Sequence, residues 1–175
     1  TGWIADHGID ATYGAHLLRS DDPVSAMRGL TRFAGMNVTV PHKEAAAAAA
    51  DRSETSASNV LRWEADGTLS AFNTDGLGFI DALDEGAPGW RRRVKHALVL
   101  GAGGAAQGIA GMLSPYVKTV GVANRTRARA EELAKGLPNG QVKDWADLSG
   151  AFGEADLIVQ TTTVGMAGTE NQAWP

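Results

Sequence analysis

Cysteine is absent from this chain of 175 residues, which excludes a disulfide framework, a thiolate metal site and a cysteine nucleophile. Long apolar runs are missing too: none approaches the roughly 18 residues that a bilayer-spanning helix needs. No signal-peptide pattern opens the sequence as it stands. Nor does one sign of charge dominate. The net charge is −4 and the isoelectric point near 5.5, and outside Arg91-Arg92-Arg93-Val94-Lys95 the basic residues are scattered. A nucleic-acid binder normally carries a basic face with interleaved aromatics, so nucleic acid is not an expected partner. There is no internal repeat, and the only low-complexity tract is the alanine run Ala45–Ala50. Composition therefore points to a soluble cytoplasmic α/β protein with neither membrane nor nucleic-acid partner. An initiator methionine is also lacking: the chain opens Thr1-Gly2-Trp3 and closes Ala173-Trp174-Pro175. For a two-domain enzyme the length is short, so part of a longer protein is expected.

What is present falls into two patterns. In the first half, residues 12–18 read as a short strand, and Asp22-Pro23 as the capped start of a helix over 24–33 on the spacing Val24, Met27, Leu30, Phe33, broken by Gly35. Residues 38–40 read as a strand ended by Pro41, which has no N–H to give a ladder. Residues 44–51 carry the strongest helix propensity. Residues 59–64 and 68–72 flank Ala65-Asp66-Gly67 and read as a β-hairpin; residues 75–83 read as a helix closed by Gly86-Ala87-Pro88-Gly89, a natural boundary. From Lys95 onward strands (97–100, 119–123, 157–160) alternate with helices (105–113, 127–135), the signature of a parallel sheet with crossover helices.

The apolar strand Ala97–Leu100 runs straight into Gly101-Ala102-Gly103-Gly104-Ala105-Ala106. Glycine permits the tight turn and the approach of backbone N–H groups to a pyrophosphate at the positive end of the next helix, and small Ala106 permits close helix–sheet packing. Alone, such a turn can also join strand to helix for steric reasons; the order of strand, turn and helix strengthens the binding reading. At the end of the next strand, where NAD-binding folds place Asp or Glu on the ribose, stand Asn124-Arg125-Thr126. A guanidinium with a neighbouring amide and hydroxyl can hold a 2′-phosphate that a carboxylate would repel, so NADP is favoured over NAD.

Lys43 and Asp75 each follow a β segment and begin a helical one, so the two junctions can converge on one crevice. A lysine ammonium there could serve as proton donor to a ketone, and a carboxylate beside it could hold the ammonium and a substrate hydroxyl. Singly, Lys43 could be a solvated charge and Asp75 a helix-capping residue. His42 is set aside, because neighbours in an extended segment face opposite sides.

Asn37-Val38-Thr39-Val40-Pro41-His42-Lys43, Asn73-Thr74-Asp75-Gly76-Leu77-Gly78-Phe79 and the glycine loop resemble the shikimate dehydrogenase family in residue type, order and spacing, over nearly the whole chain. The resemblance implies an α/β protein with an N-terminal α/β substrate domain over 1–85, incomplete at its N-terminus, and a Rossmann-type, doubly wound parallel-sheet NADP-binding domain over 86–175, incomplete at its C-terminus. It implies reversible NADPH-dependent reduction of 3-dehydroshikimate to shikimate in aromatic amino-acid (chorismate) biosynthesis, by a monomer or homodimer. It assigns Lys43 and Asp75 as catalytic, with Thr39 and Asn59 also on the substrate. Gly101, Ala102, Gly103, Gly104, Ala105, Asn124, Arg125, Thr126, Thr162 and Met166 fall on the cofactor; no metal is implied. The chain departs from the family at Ser56-Ala57-Ser58-Asn59-Val60-Leu61 and at Gln160 and Thr161, and it lacks the family's opening serine loop and closing glutamine segment. The chain alone is therefore expected to aggregate or to be incompletely active. Quinate or aminoshikimate dehydrogenases, a non-catalytic metabolite sensor and an NADP-binding fragment without a substrate site are the competing readings.

Overall fold

Two four-stranded sheets organise the computed structural model, which describes residues 2–165. In chain order the elements of the first half are α1 (Gly2–Asp6), α2 (Pro23–Arg28), β1 (Gly35–Asn37), α3 (Lys43–Ala49), β2 (Arg52–Ser53), β3 (Val60–Trp63) and β4 (Leu69–Phe72). The second half comprises α4 (Asp75–Gly86), α5 (Trp90–Arg93), β5 (His96–Leu100), α6 (Gly104–Leu113), a 3-10 turn at Ser114–Tyr116, β6 (Thr119–Ala123), α7 (Arg127–Lys135), β7 (Gly140–Val142), α8 (Leu148–Glu154) and β8 (Leu157–Gln160).

The first sheet has the order β1-β3-β4-β2, with β1/β3 and β3/β4 antiparallel and β2/β4 parallel. The hairpin forms where Asp-Gly calls for it: Gly67 has φ +80°, and Asp66 accepts a hydrogen bond from Thr68 N–H at 2.9 Å. One side of this sheet buries Leu61, Leu69 and Ala71 against Met27 of α2 and Ala46 and Ala49 of α3. The alanine run thus gives a flat helix face that fits closely on the sheet.

Three expectations shift here. Residues 12–18 form no strand; the segment is exposed up to Leu17, with Tyr13 held beside β1 by a hydrogen bond to Asn37 and Leu18 packed against the first core, because apolar alternation makes a strand only where a neighbouring ladder receives it. The helix begins as expected, with Asp22 accepting from Ser25 N–H, but it ends at Arg28. Gly29 caps it, and Arg28 reaches across to the Ala49 carbonyl and Asp51. Gly35, expected as a helix breaker, opens β1, where a Cβ would stand 2.7 Å from the Leu61 carbonyl oxygen. The strand therefore runs three residues earlier than 38–40; Val38 N–H still bonds the Asn59 carbonyl, and the chain then turns through Thr39 C=O to His42 N–H.

The second sheet is parallel throughout, in the order β7-β6-β5-β8. Chain direction reverses its lateral progress between β5 and β8, and such a switch point opens a crevice at the strand C-termini. β5 is buried on both sides, as a central parallel strand should be. Ala97 and Val99 face the core shared with α4, α6 and α7, whereas Leu98 and Leu100 face α8. Asp156 ties the start of β5 to the turn before β8 by accepting from Lys95 and His96 N–H at 2.8 and 2.9 Å, and those donors hold its carboxyl below the ordinary carboxylate range. The short α5, β7 and α8 were not visible as periodic patterns, each being too brief for one.

α4 runs three residues beyond the expected Leu83 and packs Ile80, Phe79 and Leu83 into the core of the second sheet. Asp84 secures its last turn, accepting from Trp90 Nε1 at 2.8 Å and from Arg91. At its first turn it crosses α6 so closely that a Cβ on Gly76 would lie 2.3 Å from the Gly108 carbonyl oxygen. Gly76→Ala must therefore push the helices apart, and we expect a loss of about 2–3 kcal/mol, read as a lower urea midpoint; an unchanged midpoint would show that the crossing is slack.

Candidate active site

The first turns of α3 and α4 deliver Lys43 and Asp75 to one point. Lys43 Nζ donates to Asp75 Oδ2 at 2.5 Å, with side-chain exposures of 15% and 22%, shielded enough to be held and open enough to be touched. Asn59, one residue before β3, completes the cluster: its Nδ2 donates to Asp75 Oδ1 at 2.8 Å and to Thr74 Oγ1 at 3.0 Å, while its Oδ1 accepts from Thr74 N–H at 2.9 Å. Both oxygens of Asp75 are thus engaged, one by an ammonium and one by an amide. The Lys43 carbonyl is fixed by Ser58 N–H at 2.8 Å. Thr39 lies exposed in the turn ahead of α3, and no described hydrogen bond ties its side chain to the other three.

The glycine loop closes on the same cluster. A Cβ at Gly104 would stand 3.0 Å from Lys43 Cδ and 3.0 Å from Ala57 Cβ, so the N-terminus of α6 lies against the stem of Lys43. Gly101 takes φ +110°, and its N–H donates to the Ala123 carbonyl at 2.8 Å. That bond sets the loop beside Asn124-Arg125-Thr126, which follow β6. Asn124 Nδ2 turns onto the Thr126 carbonyl at 2.9 Å, and Arg125 is exposed. On the other side of the loop, a Cβ on Gly101 would meet Thr161 Oγ1 at 2.5 Å and Thr162 Cγ2 at 3.2 Å. Thr162 is therefore at the switch point, while Met166 lies outside the described residues.

Gln160 and Thr161, the departures noted in the sequence, have local roles. Thr161 Oγ1 donates to the Leu100 carbonyl at 2.7 Å, and Gln160 spans its own loop from Thr162 N–H to the Val164 carbonyl. Sequence reasoning missed two bridges between the halves: Ser56 Oγ to Gln107 Oε1 at 2.6 Å, and Asn73 to the Gly104 carbonyl at 3.2 Å. No periodicity marks either; Asn73 stood only as the first letter of a motif. A groove of about 500 Å³ follows this junction, lined among others by Glu44, Ser56, Asn73, Ala102, Gln107 and Gly108. A smaller hollow of about 320 Å³, bounded by His96, Thr119, Lys143 and Glu154, lies toward the strand N-termini, away from the paired lysine and aspartate.

Two family models match separate stretches of this chain. Residues 1–61 match the shikimate dehydrogenase substrate binding domain, and residues 89–170 match shikimate / quinate 5-dehydrogenase. The chain belongs to the shikimate dehydrogenase family. A shikimate dehydrogenase (NADP(+)) of Dinoroseobacter shibae is 41% identical over 95% of this chain and 63% of its own length, and one of Brucella ovis is 41% identical over 99% and 63%. The chain thus spans somewhat under two thirds of the curated relatives it matches. Among solved structures, the shikimate dehydrogenase of Aquifex aeolicus superposes with a TM-score of 0.80 at 30% identity, covering 95% of this chain and 63% of that one. Shikimate 5-dehydrogenase of Thermus thermophilus, solved with NADP(H) and shikimate, superposes with a TM-score of 0.72 at 33% identity, covering 93% and 61%. The two-sheet α/β architecture is that of this family. Among the described residues no helix is long and apolar enough to cross a membrane.

Proposed function

We propose that this shikimate dehydrogenase family chain carries the site of an NADP-dependent oxidoreductase that interconverts 3-dehydroshikimate and shikimate in the cytoplasm. The observation that carries the reading is the Lys43–Asp75 pair at 2.5 Å with a glycine-loop helix packed on the lysine stem. In this reading residues 1–85 supply the substrate half and residues 86–175 the cofactor half, with α4 bridging them: Asp75 at its start faces Lys43, and Ile80 and Leu83 sit in the second core.

Support for a dinucleotide at the loop comes from its shape. Gly103 opens α6 with nothing within 4 Å of where a Cβ would be, and the first N–H groups of a helix have no acceptor within it. Gly101 to Ala105 would cradle the pyrophosphate, Asn124, Arg125 and Thr126 the 2′-phosphate, and Thr162 and Met166 the nicotinamide end. NADPH, when bound, supplies the hydride. Lys43 places an ammonium proton at the ketone oxygen that becomes the hydroxyl. Asp75 holds that ammonium and accepts from a ring hydroxyl, Asn59 fixes the carboxylate, and Thr39 offers a further hydroxyl to the ring.

The test is turnover of shikimate and of quinate with NADP and with NAD by the protein carrying this chain. Shikimate with NADP should give the highest kcat/KM; binding of shikimate without turnover would overturn the reading in favour of a sensor, and binding of NADP with no response to shikimate in favour of an NADP-binding fragment. Arg125→Ala should cut the preference for NADP over NAD by about 10- to 100-fold, since charge-assisted bonds to a phosphate contribute about 1.5–3 kcal/mol. If the preference survives, another residue reads the phosphate.

A further inference from the structure

Asn73 lies between β4 and α4 and belongs to neither, yet its amide joins three segments. Its Nδ2 donates to the Ala57 carbonyl at 2.8 Å and to the Gly104 carbonyl at 3.2 Å, and its Oδ1 accepts from Asp75 N–H at 3.0 Å. The partners fix the amide's orientation: two carbonyls need the NH2 and one N–H needs the oxygen. Bulk is fixed as well, because a Cβ on Gly108 would stand 2.6 Å from Asn73 Oδ1.

We infer that Asn73 is a positioning residue that holds the glycine-loop end of α6 in register with the Lys43–Asp75 pair. The inference rests on the oxidoreductase reading above. Reduction of a ketone needs a hydride at carbon and a proton at oxygen, and here the groups that place them come from different halves of the chain. Asn73 reaches both. Toward the substrate half it pins Ala57, whose neighbour Ser58 holds the Lys43 carbonyl, and it fixes the N–H of Asp75 itself. Toward the cofactor half it grips Gly104, the residue at which a Cβ would stand 3.0 Å from Lys43 and from Ala57. The Ala57–Ser58 strap is thereby clamped between Asn73 and Lys43, so displacement of Gly104 is transmitted to the lysine backbone. Misplacement by about 1 Å of groups that must act together costs on the order of 100-fold in rate.

Asparagine is required by this account and aspartate does not replace it. Aspartate keeps an acceptor for Asp75 N–H, and carboxylates cap helix starts well, but it sets an anionic oxygen against two carbonyls. Asn73→Ala and Asn73→Asp are compared in the protein carrying this chain. Both should lower kcat about 30- to 100-fold while KM for substrate and for NADP stay within about threefold. In both, amide hydrogen exchange should quicken at residues 56–59 and at 104–107 together. Normal kcat in Asn73→Asp would reduce Asn73 to a cap of α4 and overturn the proposal, as would faster exchange confined to residues 75–78. If the parent protein turns over neither acid, the functional reading fails by itself, and the exchange pattern still decides whether Asn73 couples the halves.

Discussion

Replacing Lys43 by methionine should lower kcat about 1,000-fold, the middle of the range that a positioned proton donor contributes, while NADP affinity changes less than about threefold. Methionine is the informative choice. Gly104 packs against the Cβ and Cδ of Lys43, so alanine would remove both the ammonium and the wall on which the glycine loop rests. Methionine keeps an unbranched apolar stem there and removes only the charge. Fold should survive: the pair is a single, partly exposed contact, and Asp75 retains its bond from Asn59. Turnover within tenfold of the parent, measured at saturating shikimate and NADP, would exclude Lys43 as the proton donor and leave Asp75 as the only titratable member of the cluster.

In the second half β5, β6 and β8 were readable because each carries a short, mostly apolar run that is punctuated, whereas β7 was too brief to show. Val99 and Leu100 lead into glycine and Ala123 into Asn124, and a central parallel strand buried on both sides has no alternation to misread. The first half was harder for a physical reason. Strand 38–40 and the strand over 12–18 were inferred from local pattern, but pairing is a long-range event: Gly35 to Asn37 are the residues that meet Val60 to Arg62, and nothing local announces that register. Gly35 looked like punctuation and proved to be a point of close backbone approach. At the site, Lys43, Asp75 and Asn59 were legible as motif letters, and their convergence followed from two strand-to-helix junctions. Asn73, Ser56 and Gln107 were not, since their roles depend on which carbonyl or amide lies opposite once two halves meet. The bond from Asn73 to Gly104 joins residues 31 apart, a separation at which sequence spacing carries no geometric information.

Asp75→Asn should impair binding and turnover together, unlike Lys43→Met. Asp75 uses one oxygen for the lysine and the other for Asn59, at 2.5 and 2.8 Å, and both partners are donors. An amide has only one acceptor oxygen, so its NH2 must face either the ammonium or the Asn59 amide, and one pair becomes donor against donor. The lysine loses its anchor and the substrate hydroxyl loses its acceptor. We expect kcat/KM for shikimate to fall about 100- to 1,000-fold, equivalent to about 3–4 kcal/mol at 1.36 kcal/mol per decade, with KM rising at least fivefold on the order expected for one lost charged hydrogen bond. Combining it with Lys43→Met separates mechanism from coincidence. If the two side chains work as one unit, the double variant should be no more than about threefold slower than the slower single variant. Multiplying losses, or a normal KM with a normal rate in Asp75→Asn, would mean that the 2.5 Å pair is a structural contact and that the chemistry lies elsewhere in the cleft.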